Sequence, residues 1–298
     1  MSGKLRWGLI GPGGIAHTIA HDFGLVGIHF EAVASRSLER ATAFASKWDI
    51  AKPYGSYQQL LDDPEIDVVY ISTPQSEHAP NAIAALNAGK HVLVEKPFCL
   101  NHREAQEMAG AAQRNGKFLM EAMWTRFLPH MVRINEIVAS GRIGQPYLLM
   151  ADHNQSLPVE KAPRLHALEL GGGALLDLGI YPVSFANQLF GEPNSVKASG
   201  RLTADKVDSL VSMIFDYPDG SQAALSTTMS FAAPAWLSST PRKTAKDCSG
   251  VSTRSARLLA IGKPKSSGWI SYSVIWPFLS SPTKVEAPRL ISSMPSRP

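Results

Sequence analysis

Cysteine is nearly absent: the 298 residues contain only Cys99 and Cys248. Two thiols exclude a disulfide framework and a four-cysteine zinc site, and they suit a reducing, cytoplasmic compartment. Long apolar runs are missing too. No stretch approaches the roughly 18 residues that span a bilayer, so no membrane partner is expected. The N-terminus has no basic start followed by an apolar stretch and a cleavage site, so no secretory signal is expected. Charged residues make up 18% and apolar residues 44%, the mixture of a globular chain and not of a disordered one. At roughly 100–200 residues per domain the length suggests two domains, or one large one. A chain of this size buries enough apolar surface to fold without disulfides or a structural metal.

The formal net charge of +4 is unevenly divided. Residues 235–298 hold 10 Lys/Arg against 2 Asp/Glu, whereas residues 1–234 hold 19 against 23. The main body is mildly acidic, which gives no reason to expect nucleic acid as a partner. The last segment also differs in texture: 14 of its 64 residues are Ser and 7 are Pro, with apolar residues clumped rather than periodic. Two readings stand side by side, a flexible basic tail and a shifted reading frame. Either leads to the expectation of poor order beyond about residue 235.

The first third alternates short apolar strands with helical signals. Strands are expected at Leu5–Ile10, Phe30–Ser35, Asp67–Ser72 and His91–Val94, with helices over Ile15–Phe23, Ser37–Lys47 and Pro80–Ala88. That alternation predicts an α/β fold, a doubly wound parallel sheet with helices on both faces, over residues 1–122. The pattern then changes. Pro129–Gly141 and Gly172–Leu189 read as helices. Two period-2 runs, Asp208–Tyr217 and the segment from Gln222 to Phe231, flank the turn Pro218-Asp219-Gly220. They predict a hairpin with one buried face, in an α+β domain (123–234) whose mainly antiparallel sheet stops short.

Gly11-Pro12-Gly13-Gly14-Ile15-Ala16 matches G-x-G-x-x-A directly after the first strand. The first glycine permits a tight turn, the second lets the backbone approach a pyrophosphate, and the small Ala16 permits close helix–strand packing. Gly11, Gly13, Gly14 and Ile15 are therefore cofactor-binding candidates. Where NAD enzymes place a ribose-binding carboxylate, this chain reads Ala34-Ser35-Arg36-Ser37, with Arg40 a turn later. Ser35, Arg36 and Arg40 suit a 2′-phosphate, which favours NADP over NAD. His17 and His21 are four apart beside Asp22, but their helix is committed to phosphate; they read as solvated residues and no metal is expected.

Val94-Glu95-Lys96-Pro97 ends one strand, and Ser72-Thr73-Pro74-Gln75-Ser76-Glu77-His78 follows another. Ligands of open α/β sheets bind beyond such ends. With the glycine motif, these segments resemble the Gfo/Idh/MocA oxidoreductases over about residues 4–233. The resemblance implies that Thr73, Pro74, His78, Glu95, Lys96 and Pro97 surround the cofactor, that Pro97 follows a cis bond, and that Lys96 faces the nicotinamide and substrate. His78 would order its loop, and His91 reads as a satisfied strand-start histidine. Trp124-Thr125-Arg126-Phe127 resembles the dihydrodiol dehydrogenase branch. There the resemblance implies that Trp124, Arg126 and Phe127 bind substrate, Arg126 reaching the cofactor as well. Gly171-Gly172-Gly173 precedes Asp177 and Tyr181, four apart on one helical face. A phenol is a poor base alone, but an ammonium such as Lys96 stabilises the phenolate. The implied catalytic set is Lys96, Tyr181 and Asp177, with Asp177 also positioning substrate.

The implied activity is NADP-dependent oxidation of a small polar hydroxyl compound, such as D-xylose, D-glucose or a trans-dihydrodiol. Two alternatives are a glucose–fructose oxidoreductase-like enzyme that retains its cofactor and a non-catalytic NADP-binding regulator. Relatives pair through the outer face of the second-domain sheet, so a homodimer is expected.

Overall fold

The computed structural model describes residues 5–231. Among them the chain divides into two compact units, the first ending at Met123 and the second beginning at Trp124. The first unit is built on one parallel sheet of β1 (Trp7–Ile10), β2 (Phe30–Ala34), β3 (Lys52–Tyr54), β4 (Val68–Ile71), β5 (His91–Val94) and β6 (Leu119–Glu121). Their order is β3-β2-β1-β4-β5-β6, and every neighbouring pair is parallel. The connecting helices are α1 (Gly14–Leu25), α2 (Leu38–Trp48), α3 (Tyr57–Leu61), α4 (His78–Asn87) and α5 (His102–Asn115).

Alternation along each strand explains why both faces are covered. Leu9, Val33 and Tyr70 share one apolar cluster with Ala41 and Phe44 of α2. Their neighbours Ile10, Ala32, Val69 and Ile71 belong to another cluster, with Ala82 and Leu86 of α4 and Met108 of α5. The chain runs outward from β1 in one direction through β2 and β3, then returns to continue on the other side with β4. The switch point between β1 and β4 is where a doubly wound sheet opens its ligand crevice.

The helices begin where short polar side chains can satisfy the first free N–H groups. Ser37 Oγ accepts from the Arg40 N–H at 3.3 Å at the start of α2, and Asn101 Oδ1 accepts from the Glu104 N–H at 3.0 Å at the start of α5. The helix expected from Pro80 begins earlier, at His78, because a proline in the first turn needs no N–H.

The second unit contains α6 (Pro129–Ala139), β7 (Leu148–Asn154), α7 (Ile180–Phe190), β8 (Ser195–Leu202), β9 (Asp208–Asp216) and β10 (Gln222–Thr228). The sheet order is β7-β10-β9-β8. The expected hairpin is β9–β10, with Ala223 opposite Phe215 and Leu225 opposite Met213. The β8–β9 pair is also antiparallel, but β7 joins β10 in parallel, so the sheet is mixed. Val211, Met213, Phe215, Ala223 and Leu225 bury one face against Met131 of α6 and Phe185 and Ala186 of α7. Phe231 departs from the expected buried set. The strand ends at Thr228, Met229 is still buried, and Phe231 is 50% exposed beyond it.

The helix expected from Gly172 starts later and differently. Leu175–Gly179 forms a single turn of π-helix that runs into α7. The Ser- and Pro-rich segment 235–298, with both readings of it, lies outside the described residues. No helix among the described residues is long and apolar enough to cross a membrane.

Candidate functional site

In the first unit the candidates begin at the turn that β1 feeds into α1. Gly11 has φ +88°, and a Cβ there would lie 2.9 Å from the Thr73 backbone nitrogen. Only glycine allows the turn after β1 to press against the loop after β4. Ser72 Oγ donates to the Gly11 carbonyl at 2.9 Å and fixes that approach. Gly13 precedes α1 without any side-chain cap, the first turn carries no acidic residue, and the space beside Gly14 is open. Ile15 is 45% exposed on that turn, while Ala16 is fully buried beneath it. Bare N–H groups at the positive end of a helix, behind glycines that leave room, fit a pyrophosphate.

The end of β2 sorts its three candidates. Ser35 is buried and its Oγ accepts from the Ser37 N–H, while Ser37 Oγ caps α2. Arg36 and Arg40 are exposed. Both act on the Tyr57 phenol, which burial pushes up and the two guanidinium charges pull back. Arg40 also lines a shallow cleft of about 330 Å³ with Pro12, His17, Ala43, Phe44 and Lys47. His17 is not the solvated residue expected from the sequence: its Nδ1 accepts from the Trp48 indole at 2.7 Å. Burial, and then the Lys47 charge, lower its pKa. His21 instead meets Asp22 at 2.9 Å, so the two histidines do not converge.

The loops after β4 and β5 are joined by His78. Its ring is buried, with Nδ1 2.8 Å from the Pro97 carbonyl and Nε2 3.0 Å from the Thr73 carbonyl. It shapes both loops from below, and Pro74 opens a short 3-10 turn between them. Lys96-Pro97 is a cis peptide bond. Glu95 turns inward: it is buried and accepts from the Tyr70 hydroxyl at 2.5 Å. Lys96 stands half-buried at the carboxyl end of β5. His91 accepts from the Phe118 N–H at 2.9 Å, as a satisfied strand-start histidine does.

The second unit gathers the other candidates around α7. The Trp124 indole N–H donates to the Tyr181 hydroxyl oxygen at 3.1 Å, and the two rings meet edge to face. Trp124 and Phe127 are 37% and 41% exposed rather than core. Arg126 is held on α7, its Nε donating to Ser184 Oγ at 2.9 Å and its Nη2 to the Ser184 carbonyl at 3.3 Å. Asp177 is buried and accepts from Arg164 Nη2 at 3.0 Å. The π turn carries Asp177 and leads into Tyr181; such turns recur at functional sites. Gly179 makes it possible, since a Cβ there would lie 3.0 Å from both Leu175 Cδ1 and Thr227 Cγ2.

Sequence reasoning missed four residues of this cluster. His153 of β7 packs its ring 4.9 Å from that of Tyr181. It shares strand parity with the buried Leu149 and Ala151, but its polar neighbours Asp152 and Asn154 hide that signal in the sequence. Arg164, Ser184 and Asp208 carry no such pattern, because their partners are distant in sequence or their bonds go to backbone.

A doubly wound sheet with a glycine turn at its switch point, followed by an α+β unit, defines the class of NAD(P)-binding oxidoreductases. Residues 5–123 match the model of the oxidoreductase family with an NAD-binding Rossmann fold, and residues 131–242 match the GFO/IDH/MocA C-terminal domain. The match thus runs past residue 233, where the sequence resemblance was expected to end. The chain belongs to the Gfo/Idh/MocA oxidoreductase family, enzymes acting on CH–OH groups. It is 39% identical over 231 residues to trans-1,2-dihydrobenzene-1,2-diol dehydrogenase of Mus musculus, covering 76% of this chain and 69% of that one. The Danio rerio protein of the same name is 43% identical over 201 residues, covering 66% and 60%. Among solved structures, aldose-aldose oxidoreductase from Caulobacter crescentus, complexed with glycerol, has a TM-score of 0.71 at 28% identity, covering 77% and 72%. A 3-ketoreductase from Actinomadura kijaniata, in complex with NADP and TDP-benzene, gives 0.70 at 28%, covering 77% and 71%.

Proposed function

We propose that this chain is an NADP-dependent dehydrogenase that oxidises a ring hydroxyl of a small polar substrate, a trans-dihydrodiol or an aldose. The observation that carries the reading is the Tyr181 phenol, which accepts an indole N–H on the helix that also presents Asp177. A donor aimed at a phenolic oxygen stabilises negative charge there, which a general base needs. Tyr181 is paired with Lys96 in this reading by chemistry, because an ammonium stabilises a phenolate. Tyr181 takes the hydroxyl proton of the substrate. Lys96 stabilises the negative charge that develops on oxygen as that proton leaves. Asp177, held by its ion pair with Arg164, orients the substrate by accepting from another of its hydroxyls. Trp124 and Phe127 offer exposed ring faces to the apolar side of a cyclic substrate, and Arg126 anchors the segment to α7. When bound, the nicotinamide supplies a hydride acceptor.

The glycine turn, Ile15, Thr73 and Pro74 hold the dinucleotide in this reading, and Arg36 and Arg40 read its 2′-phosphate. Support for NADP comes from the exposed guanidinium groups where NAD enzymes carry a carboxylate, and from the NADP in the solved 3-ketoreductase. Arg36→Asp removes one charge-assisted contact and places a carboxylate beside the ribose. A contact of that kind contributes about 1.5–3 kcal/mol, so the Kd for NADP is expected to rise roughly 10- to 100-fold while that for NAD falls or holds. Cofactor titration by protein fluorescence checks this, and an unchanged preference would show that Arg36 does not read the phosphate.

The enzyme is a homodimer in this reading. The outer face of the second-unit sheet supports it: Met150 is 53% exposed there, in a row with Ala224 and Ile214 and beside Ser199, Ser212 and Ser226. A cytoplasmic setting agrees with the free thiol of the buried Cys99, which burial pushes up to about 11.

A further inference from the structure

The geometry points to Asp208 as a positioning residue that fixes the π turn through which Asp177 and Tyr181 are presented. This rests on the reading of Tyr181 as the proton acceptor. Asp208 is the first residue of β9, and it faces the start of the turn. Its Oδ2 accepts from the Leu175 N–H at 2.6 Å, at the first residue of the π turn. That carboxylate thereby holds the first backbone donor of the turn, at the positive end of the helical segment that carries both functional side chains.

The approach is tight enough to dictate the sequence around it. Gly173 has φ +122°, outside the range of L side chains, and a Cβ there would collide with Asp208 Oδ1. A Cβ on Gly172 would lie 2.5 Å from the Leu165 carbonyl, which already accepts from the Gly173 N–H at 2.9 Å. Leu165 adjoins Arg164, the partner of Asp177. The triple glycine therefore serves close backbone approach rather than flexibility. It lets one anchor, Asp208, set the first turn, while the Leu165 carbonyl sets the strand of chain that delivers Arg164. At the other end of the turn Gly179 packs on Thr227. A π turn squeezed between two such contacts has one register. If the Asp208 anchor is lost, the turn can relax to an ordinary α-helical register and rotate Asp177 and Tyr181 off their working positions.

The test uses the full chain with NADP and whichever of trans-1,2-dihydrobenzene-1,2-diol and D-xylose the wild type oxidises. A misplacement of about 1 Å can cost about 100-fold in rate, so Asp208→Ala is expected to lower kcat by that order. The KM for NADP and the far-UV circular dichroism should stay near wild type. Deuterium at the carbon that gives up hydride should then produce a larger isotope effect on kcat, because the chemical step has become slower. Asp208→Asn keeps an acceptor oxygen and should fall between wild type and alanine. If Asp208→Ala fails to fold, Gly173→Ala and Asp208→Asn carry the same expectation of selective kcat loss. Activity lost only in proportion to folded protein, with an unchanged isotope effect, would reduce Asp208 to a structural cap and overturn the proposal. Equal kcat for Asn and Ala would overturn it too. Tyr181→Phe is run in parallel. If that variant loses turnover and Asp208→Ala does not, the Asp208 inference alone fails; if Tyr181→Phe keeps turnover, both fall.

Discussion

Tyr181→Phe is expected to lower kcat by about 100- to 10,000-fold, the range that a positioned general base contributes. Dinucleotide affinity should change little, because Tyr181 belongs to the second unit and the glycine turn, Arg36 and Arg40 to the first. The substitution keeps the ring, so the contacts with Trp124 and His153 survive and only the hydroxyl is lost. The Trp124 indole then loses the phenolic oxygen it donates to, in a position 37% exposed where water can replace it. A fall in kcat with stable folding and stable cofactor binding therefore isolates the proton transfer. A non-catalytic regulator would be indifferent to the change, and full turnover in the variant would remove Tyr181 from the mechanism.

Lys96→Met is expected to lower kcat by about 100- to 1,000-fold, the usual cost of removing a group aimed at charge that develops in the transition state. Methionine keeps the length and apolar stem of the side chain. The Lys96 backbone N–H, which donates to Glu95 Oε2 at 3.1 Å, is untouched, as is the His78 bridge between the Thr73 and Pro97 carbonyls. The loop should keep its shape while its charge disappears. Interactions that strengthen only during reaction appear in kcat and not in ground-state affinity. Stopped-flow or fluorescence titration with NADP checks this, and parallel loss of dinucleotide affinity would show that Lys96 serves binding and not charge stabilisation.

Much of this molecule was legible in the sequence because its signals are local. The strand-turn-helix around Gly11–Ala16 needs only the φ of one glycine and the small side chain of Ala16, and both follow from residue type. The β9–β10 hairpin declares itself by period-2 burial. Strand β8 was missed although Val196, Ala198, Gly200 and Leu202 alternate with polar residues; the run is short and weakly apolar, and all eight residues are exposed. Strand β7 ends in Asp152-His153-Asn154, polar residues that mask its parity with Leu149 and Ala151. The site divides the same way. Tyr181 and Asp177 share a spacing that reads as an ordinary helical face, whereas the structure places Asp177 in a π turn. Nothing in the residues 175–181 announces that turn. It depends on Asp208 and Thr227, which come from other strands, and on two glycines whose close approaches only the folded chain reveals. Glu95 is the reverse lesson: a residue beside the candidate Lys96, which the resemblance implies at the cofactor, is buried and accepts from the Tyr70 hydroxyl.

The central claim is that this chain moves a hydride from a ring hydroxyl to NADP. Purified protein mixed with NADP and trans-1,2-dihydrobenzene-1,2-diol, with D-xylose and D-glucose in parallel, tests it by the growth of the reduced-nicotinamide absorbance. The account predicts turnover with at least one of these substrates, a kcat/KM higher with NADP than with NAD, and its loss in Tyr181→Phe. Protein that binds NADP tightly yet reduces none of it with any of the three substrates would contradict the account. Turnover that prefers NAD would contradict the assignment of Arg36 and Arg40.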